Sequence, residues 1–157
     1  MKLVRKLALM ALIGWMGSAM AADVGVTDSS VTLGMSSPFS GPNGAYGQDM
    51  KNVITAYFDQ INKAGGVNGR KIDLVALDDG YETDRTVANS KKLIDESKVF
   101  ALLQYYGSSP TTQAMNDVFG PAKVPLVGTI SGAGTLRQSA KDHPNNKYMF
   151  NVRASYA

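Results

Sequence analysis

The chain has 157 residues, sixteen Lys and Arg against thirteen Asp and Glu, and no cysteine. That length supports one domain with a hydrophobic core and excludes two of ordinary size. Three of the basic residues, Lys2, Arg5 and Lys6, stand at the extreme N-terminus, so residues 22–157 carry thirteen of each sign. A neutral body offers no electrostatic footprint for nucleic acid or an anionic membrane.

The basic start is followed by an apolar run from Leu7 to Met20, broken by Gly14 and Gly17 and closed by Ala19-Met20-Ala21. A charged n-region, a short apolar h-region and an A-x-A site define a cleavable export signal, assigned to residues 1–21. The run is shorter than the roughly 18 to 20 residues of a spanning helix. Residues 22–157 are then expected to be released into the periplasm, unanchored because no lipobox cysteine exists.

Val31 to Ser36 reads as a buried strand, and Pro38 to Gly47 as a glycine-rich loop. Met50, Val53, Ile54, Tyr57, Phe58 and Ile61 recur at the spacing of one helical face, and Ala64-Gly65-Gly66 ends that helix. Asn68-Gly69 is a turn, leading into a strand over Lys71 to Leu77 that closes on Asp78-Asp79-Gly80. A helix over Asp84 to Ser97 and a strand over Val99 to Tyr105 follow. Next comes a helix opened by Ser109 as N-cap with Pro110 at its first position. A strand over Val124 to Gly128, a short helix over Thr135 to Ser139 and a strand over Tyr148 to Val152 complete the chain.

Strands alternating with helices at this spacing predict an α/β fold: a parallel sheet with helices on both faces, flavodoxin-like or Rossmann-like, in the order 2-1-3-4-5. Ligands of such sheets sit outside the carboxyl ends of the strands. The loops to consider are therefore Pro38 to Gly47, Asp78 to Thr83, Tyr105 to Thr111 and Gly128 to Thr135.

Those loops argue against catalysis. Gly41, Gly44 and Gly47 are spaced G-x-x-G-x-x-G, which is no phosphate-binding pattern, and Ser131 lies outside a G-x-S-x-G elbow. The single histidine, His143, reads as a surface residue, and no His, Cys or carboxylate cluster suggests a metal. No cofactor is expected. Asp78 and Asp79 are the most enzyme-like feature, but carboxylates at a strand end commonly bind the N–H groups of the following turn. The polar, uncharged loops are more informative. Gly107 to Thr112 offers hydroxyls and free N–H groups at a helix start, and Ser131 to Gly134 a second set of backbone donors, which together suit a carboxylate. Tyr46 and the Tyr105-Tyr106 pair could wall such a pocket, although Tyr105 continues a strand and core packing would explain it equally.

The order of features resembles one family, the type I periplasmic binding proteins that serve branched-chain amino acid ABC transporters. The resemblance covers essentially all of residues 22–157. It is carried by Ser36-Ser37-Pro38-Phe39-Ser40-Gly41, by Ala45-Tyr46-Gly47 at the start of a long helix, and by the run from Ile61 to Ile72. Asp78-Asp79 with Ala88-Asn89, Gly107 to Thr111 and Val124 to Val127 continue it. The resemblance implies the first lobe of a two-lobed clamp, a small-molecule ligand such as an amino acid, and a membrane permease as partner. It also implies that Tyr46 flanks the ligand side chain, that Ser108 and Ser109 hold its carboxylate, and that Ile130, Ser131 and Gly132 add backbone contacts. Where this chain has Ser131-Gly132, branched-chain receptors usually have Ala-Thr, so the head group is expected to be held differently. The acidic group that receives a ligand ammonium comes, in the family, from a second lobe, and the chain is expected to be a fragment without it. The competing functional readings are the sensory ectodomain of a signalling receptor and, behind it, a secreted α/β enzyme using Asp78 or Asp79.

Overall fold

The computed structural model describes residues 23–156. The expected export signal at residues 1–21 lies outside them.

The strand β1 (Ser30–Ser37) lies between β2 (Lys71–Asp78) and β3 (Ala101–Leu103) in a five-stranded sheet completed by β4 (Leu126–Val127) and β5 (Met149–Phe150). The order is β2-β1-β3-β4-β5 and every pairing is parallel, as the alternation of elements predicts. Pairing in register from Ser30 opposite Lys71 to Ser37 opposite Asp78 brings Ser36, Ser37, Asp78 and Asp79 to one end of the sheet. The last three strands are shorter than expected. Gln104 takes φ 51°, a left-handed turn that ends β3 before Tyr105.

The connections are α1 (Gly44–Lys63), α2 (Thr83–Asp95) and α3 (Ser108–Ala114), the last continuing through a π-helical turn over Met115–Phe119. Two 3₁₀ turns, Gly134–Arg137 and Pro144–Tyr148, lead into β5; the second was not anticipated. Side-chain alternation along the strands explains where the core lies. Leu102, Leu126 and Met149 point to the side covered by α2 and α3, where Leu93, Val99, Tyr105, Met115, Phe119 and Leu136 complete one buried cluster. Val127 and Phe150 point the other way and are exposed.

Helix α1 packs against β2. It begins earlier than the periodicity of its apolar residues indicates, because its first turns rest on the preceding loop. A Cβ on Gly47 would stand 1.8 Å from the Pro38 carbonyl oxygen, and one on Gly44 3.2 Å from the Phe39 carbonyl carbon. Tyr46 therefore sits in the first helical turn and not in a loop. Only part of the expected apolar face is covered: Val53 and Tyr57 are 70% and 61% exposed, on a flank that no described residue packs over.

The turn after α1 is a tight hairpin with Asn68 and Gly69 at φ 51° and 80°, the pair of positive values that an Asn-Gly two-residue turn adopts. Asn62 fastens it: its amide donates to the Ile72 carbonyl at 2.9 Å, and its carbonyl oxygen accepts from the Ile72 N–H at 2.8 Å. Asn62→Ala leaves both groups of Ile72 without these partners and is expected to cost about 1–2 kcal/mol of stability, measurable by urea unfolding.

Candidate functional site

The carboxyl ends of β1, β2, β3 and β4 open onto four loops that the sheet order brings side by side. The first follows β1 and is held by Asp78 at the end of β2. Its carboxylate accepts from the Phe39 N–H at 2.7 Å, the Ser40 hydroxyl at 2.6 Å and the Gly80 N–H at 2.9 Å, with Arg85 at 3.3 Å. Burial works to raise the Asp78 pKa, but these donors outweigh it and hold the group at about 2. Asp79 is fully buried; it accepts from the Ser36 hydroxyl at 2.8 Å and the Tyr81 N–H at 2.9 Å. Burial pushes its pKa up against those bonds. Asn89 on α2 donates to Ser36 Oγ and to the Asp78 carbonyl, both at 3.2 Å. The aspartate pair thus fixes the backbone of two loops, the turn-binding role weighed against an enzymatic one.

The loops that follow β3 and β4 run together. The Ile130 N–H donates to the Tyr105 carbonyl at 2.8 Å, and the Gly107 N–H to the Ile130 carbonyl at 3.3 Å. This pairing carries Ser108 to Ser131, whose hydroxyl oxygens are 2.8 Å apart. Ser131 is fully buried and its oxygen also accepts from the Ala133 N–H at 3.1 Å. Arg137 steadies the loop from behind, donating to the Ser131 and Ala133 carbonyls, each at 3.0 Å.

Helix α3 starts two residues earlier than expected. Gly107 is its N-cap, at φ 102° and ψ 155°, and Ser108 is the first helical residue. Ser109 is therefore not the cap, and Pro110 lies inside the first turn. The reason is local: only glycine adopts the Gly107 backbone readily, and the Thr111 hydroxyl donates to its carbonyl at 2.6 Å. Ser109 is exposed and lines one cavity with Ser108, Thr112, Ala133 and Thr135.

Aromatic rings stand around these hydroxyls. Tyr46 stacks on Tyr106 with centroids 5.7 Å apart, and Tyr81 meets Tyr106 edge-on at 5.6 Å. Burial and the neighbouring phenols raise the pKa of Tyr106, keeping it a neutral hydroxyl. Tyr105 is not part of the wall. It is fully buried, hydrogen-bonded to Ser90 at 2.9 Å and edge-on to Phe119. Ile130 is half-buried and Gly132 buried, the latter beneath the Tyr156 ring and the Ala154 carbonyl.

The six residues expected to bind ligand, Tyr46, Ser108, Ser109, Ile130, Ser131 and Gly132, thus lie at one end of the sheet, Ser109 beside Ser108 in the first turn of α3. Sequence reasoning missed Tyr81, Tyr156 and Arg137. Tyr81 follows Asp78-Asp79-Gly80 within a loop already of interest, so an aromatic residue there was a usable signal. Arg137 and Tyr156 carried none, because their places follow from long-range packing.

The chain matches known proteins along most of its length. Residues 30–157 match the family model described as "Periplasmic binding protein". A leucine-, isoleucine-, valine-, threonine- and alanine-binding protein of Pseudomonas aeruginosa is 31% identical over 118 residues, 75% of this chain and 30% of its own length. Among solved structures, a possible leucine/isoleucine/valine-binding protein from Rhodopirellula baltica superposes with a TM-score of 0.73 at 32% identity, covering 88% of this chain and 34% of that one. A branched-chain amino acid transporter substrate-binding protein from Streptococcus pneumoniae, in complex with isoleucine, gives 0.70 at 26% identity, covering 81% and 34%. The chain therefore spans about a third of the length of these relatives.

Proposed function

Because the chain belongs to the periplasmic binding protein family, we propose that it captures a small carboxylate-bearing solute, an amino acid or a related acid, for uptake by an ABC transporter. Its role is binding and delivery to a membrane permease, not catalysis. Residues 1–21 direct export and are removed, and residues 22–157 form the first of two lobes that close on the solute.

The observation that carries this reading is the Ser108–Ser131 hydroxyl pair, 2.8 Å apart next to Gly132, at the end of the sheet that also carries the Tyr46–Tyr106 stack. One hydroxyl of the pair donates to the other, and the remaining O–H with the adjacent N–H suits a carboxylate without a lysine or arginine. The stacked rings give the solute's body an apolar wall. Ser109, on the flank, is assigned a lesser part at the rim, and Ile130 lines the inner side.

Calorimetric titration of the complete gene product against amino acids and small carboxylates tests this. Saturable binding of at least one member is expected, and silence across the panel refutes it. In the Ser108→Ala variant, affinity for the bound solute should fall about tenfold, near 1.4 kcal/mol, with little change in melting temperature. Mass spectrometry of the secreted protein should find Ala22 at the N-terminus.

A further inference from the structure

Tyr81 stands at φ 69°, directly after Gly80 at φ 57°. These successive left-handed residues turn the chain sharply between β2 and α2, and the second carries a bulky side chain that disfavours the conformation. Its backbone is pinned from within the loop. The Tyr81 N–H donates to the buried Asp79 carboxylate at 2.9 Å, and the Glu82 N–H to the Asp79 carbonyl at 2.9 Å. Glycine or asparagine would satisfy the same turn with less strain, so the turn itself does not require a tyrosine. Nor does the core, since the residue is 41% exposed and lies outside the buried cluster.

The contacts of the ring distinguish it. A Cβ on Gly107 would stand 2.4 Å from Tyr81 Cε2 and 3.2 Å from both Cδ2 and Cζ, so the ring fills the place of the side chain that Gly107 lacks. The same ring meets Tyr106 edge-on, with centroids 5.6 Å apart and planes at 65°. Tyr46 stacks on Tyr106 at 5.7 Å and 21°, so Tyr106 touches one ring from the loop after β2 and one from α1. Gly107 is the N-cap of α3 and precedes Ser108, whose hydroxyl pairs with that of Ser131. One side chain thus bears on both parts of the solute site, the aromatic wall and the hydroxyl pair.

We propose that Tyr81 is a positioning residue of the solute site. Its ring, projected from a strained turn, fixes Tyr106 and keeps Gly107 in the conformation that presents Ser108 to Ser131. This deepens the binding reading above and rests on it. Because Tyr81 acts through Tyr106 and Ser108, its removal weakens the binding of every solute by about the same factor and leaves the choice among solutes unchanged. Loss of one aromatic pair sets the scale, roughly threefold to tenfold in affinity. The strain is retained for the sake of the ring: a ringless residue relaxes the turn while the site loses its support.

The complete gene product and its Tyr81→Gly, Tyr81→Asn and Tyr81→Phe variants are titrated by calorimetry with leucine, valine, alanine and benzoate, and melting curves are recorded alongside. Tyr81→Gly and Tyr81→Asn should melt within a few degrees of wild type, because both residues accept a positive φ and keep the N–H bond to Asp79. Each should lower affinity about threefold or more for every solute that the wild type binds, and Tyr81→Phe should bind within about twofold of wild type. Ringless variants that bind as tightly as wild type overturn the proposal while leaving a solute receptor standing. Unequal losses among the bound solutes also overturn it, since Tyr81 would then be a contact of the favoured one. A Tyr81→Phe variant as weak as the ringless ones does the same, because the phenol oxygen and not the ring would be at work. If both ringless variants lose their melting transition, Tyr81 serves the fold alone and the proposal falls. Silence of the wild type toward every amino acid and carboxylate tried removes the proposal together with the reading beneath it.

Discussion

Asp78→Ala is expected to lower the free energy of unfolding by about 2–4 kcal/mol and to disorder the approach to the solute site. Its carboxylate is the common acceptor for the Phe39 and Gly80 N–H groups, the Ser40 hydroxyl and Arg85. Alanine leaves two backbone donors, the Phe39 and Gly80 N–H groups, in partly buried positions without this acceptor. Urea unfolding gives the stability change. Loss of solute binding in the same variant, under conditions where it remains folded, shows that the loop positions Tyr46.

The same carboxylate predicts how stability responds to acid. Burial acts to raise its pKa, the Ser40, Phe39 and Gly80 bonds and Arg85 act to lower it, and the result is about 2 in the folded chain against 3.8 for the free side chain. A carboxylate held lower when folded contributes stability that is present above the unfolded value and lost as pH falls through the folded one. Asp78 should therefore make the protein progressively less stable between about pH 4 and pH 2, by roughly 1–2 kcal/mol once solvent screening is allowed for. Asp78→Asn should flatten that part of the profile. Asp79 acts in the opposite sense, since burial raises its pKa and its ionisation costs stability as pH rises. A variant lacking Asp78 should accordingly show a weak gain on mild acidification where the wild type shows a loss.

Gly107→Ala is expected to cost about 2–4 kcal/mol and to weaken solute binding by an order of magnitude or more. Two separate effects add. At φ 102° and ψ 155° the backbone occupies a region that is essentially closed to residues with a Cβ. A Cβ there would also stand 2.4 Å from Tyr81 Cε2, forcing that ring off Tyr106. Tyr81 has little freedom to yield, being held at φ 69° with its N–H on the buried Asp79 carboxylate. Relaxation of the alanine variant toward an ordinary φ would rotate Ser108 away from Ser131 and separate the hydroxyl pair. Thermal melting measures the first effect and calorimetry with the bound solute the second. A variant that melts like wild type would show that the loop adapts at no cost, against this account.

Much of the architecture was legible because it follows from local chemistry. The period-2 and period-3.6 patterns set the strand and helix order, and parallel strands joined by helices leave few ways to arrange a sheet, so 2-1-3-4-5 could be read from spacing. Asn68-Gly69 declared its turn by composition. The errors occur where tertiary packing overrode a local signal. Tyr46 was placed in a loop because the helix was counted from Met50, whereas Gly44 and Gly47 let the helix start against Pro38 and Phe39. Ser109-Pro110 looked like a cap and first turn, but Gly107 can adopt a conformation that serine cannot, and the helix begins there.

For this protein, then, sequence alone determined the order of elements, the sheet topology, the family, and that the loops after β3 and β4 would be polar and uncharged. These are properties of short windows of residues and of their succession. Only the tertiary structure decided that Ser108 and Ser131, twenty-three residues apart, share a 2.8 Å contact, that Tyr81 and Tyr46 meet at Tyr106, and that Tyr156 rests on Gly132. Each of those contacts depends on how the register of adjacent strands sets the height of the loops at their ends. A shift of one residue along a strand moves a loop by about 3.3 Å, more than the length of a hydrogen bond, and nothing within the loops themselves records it.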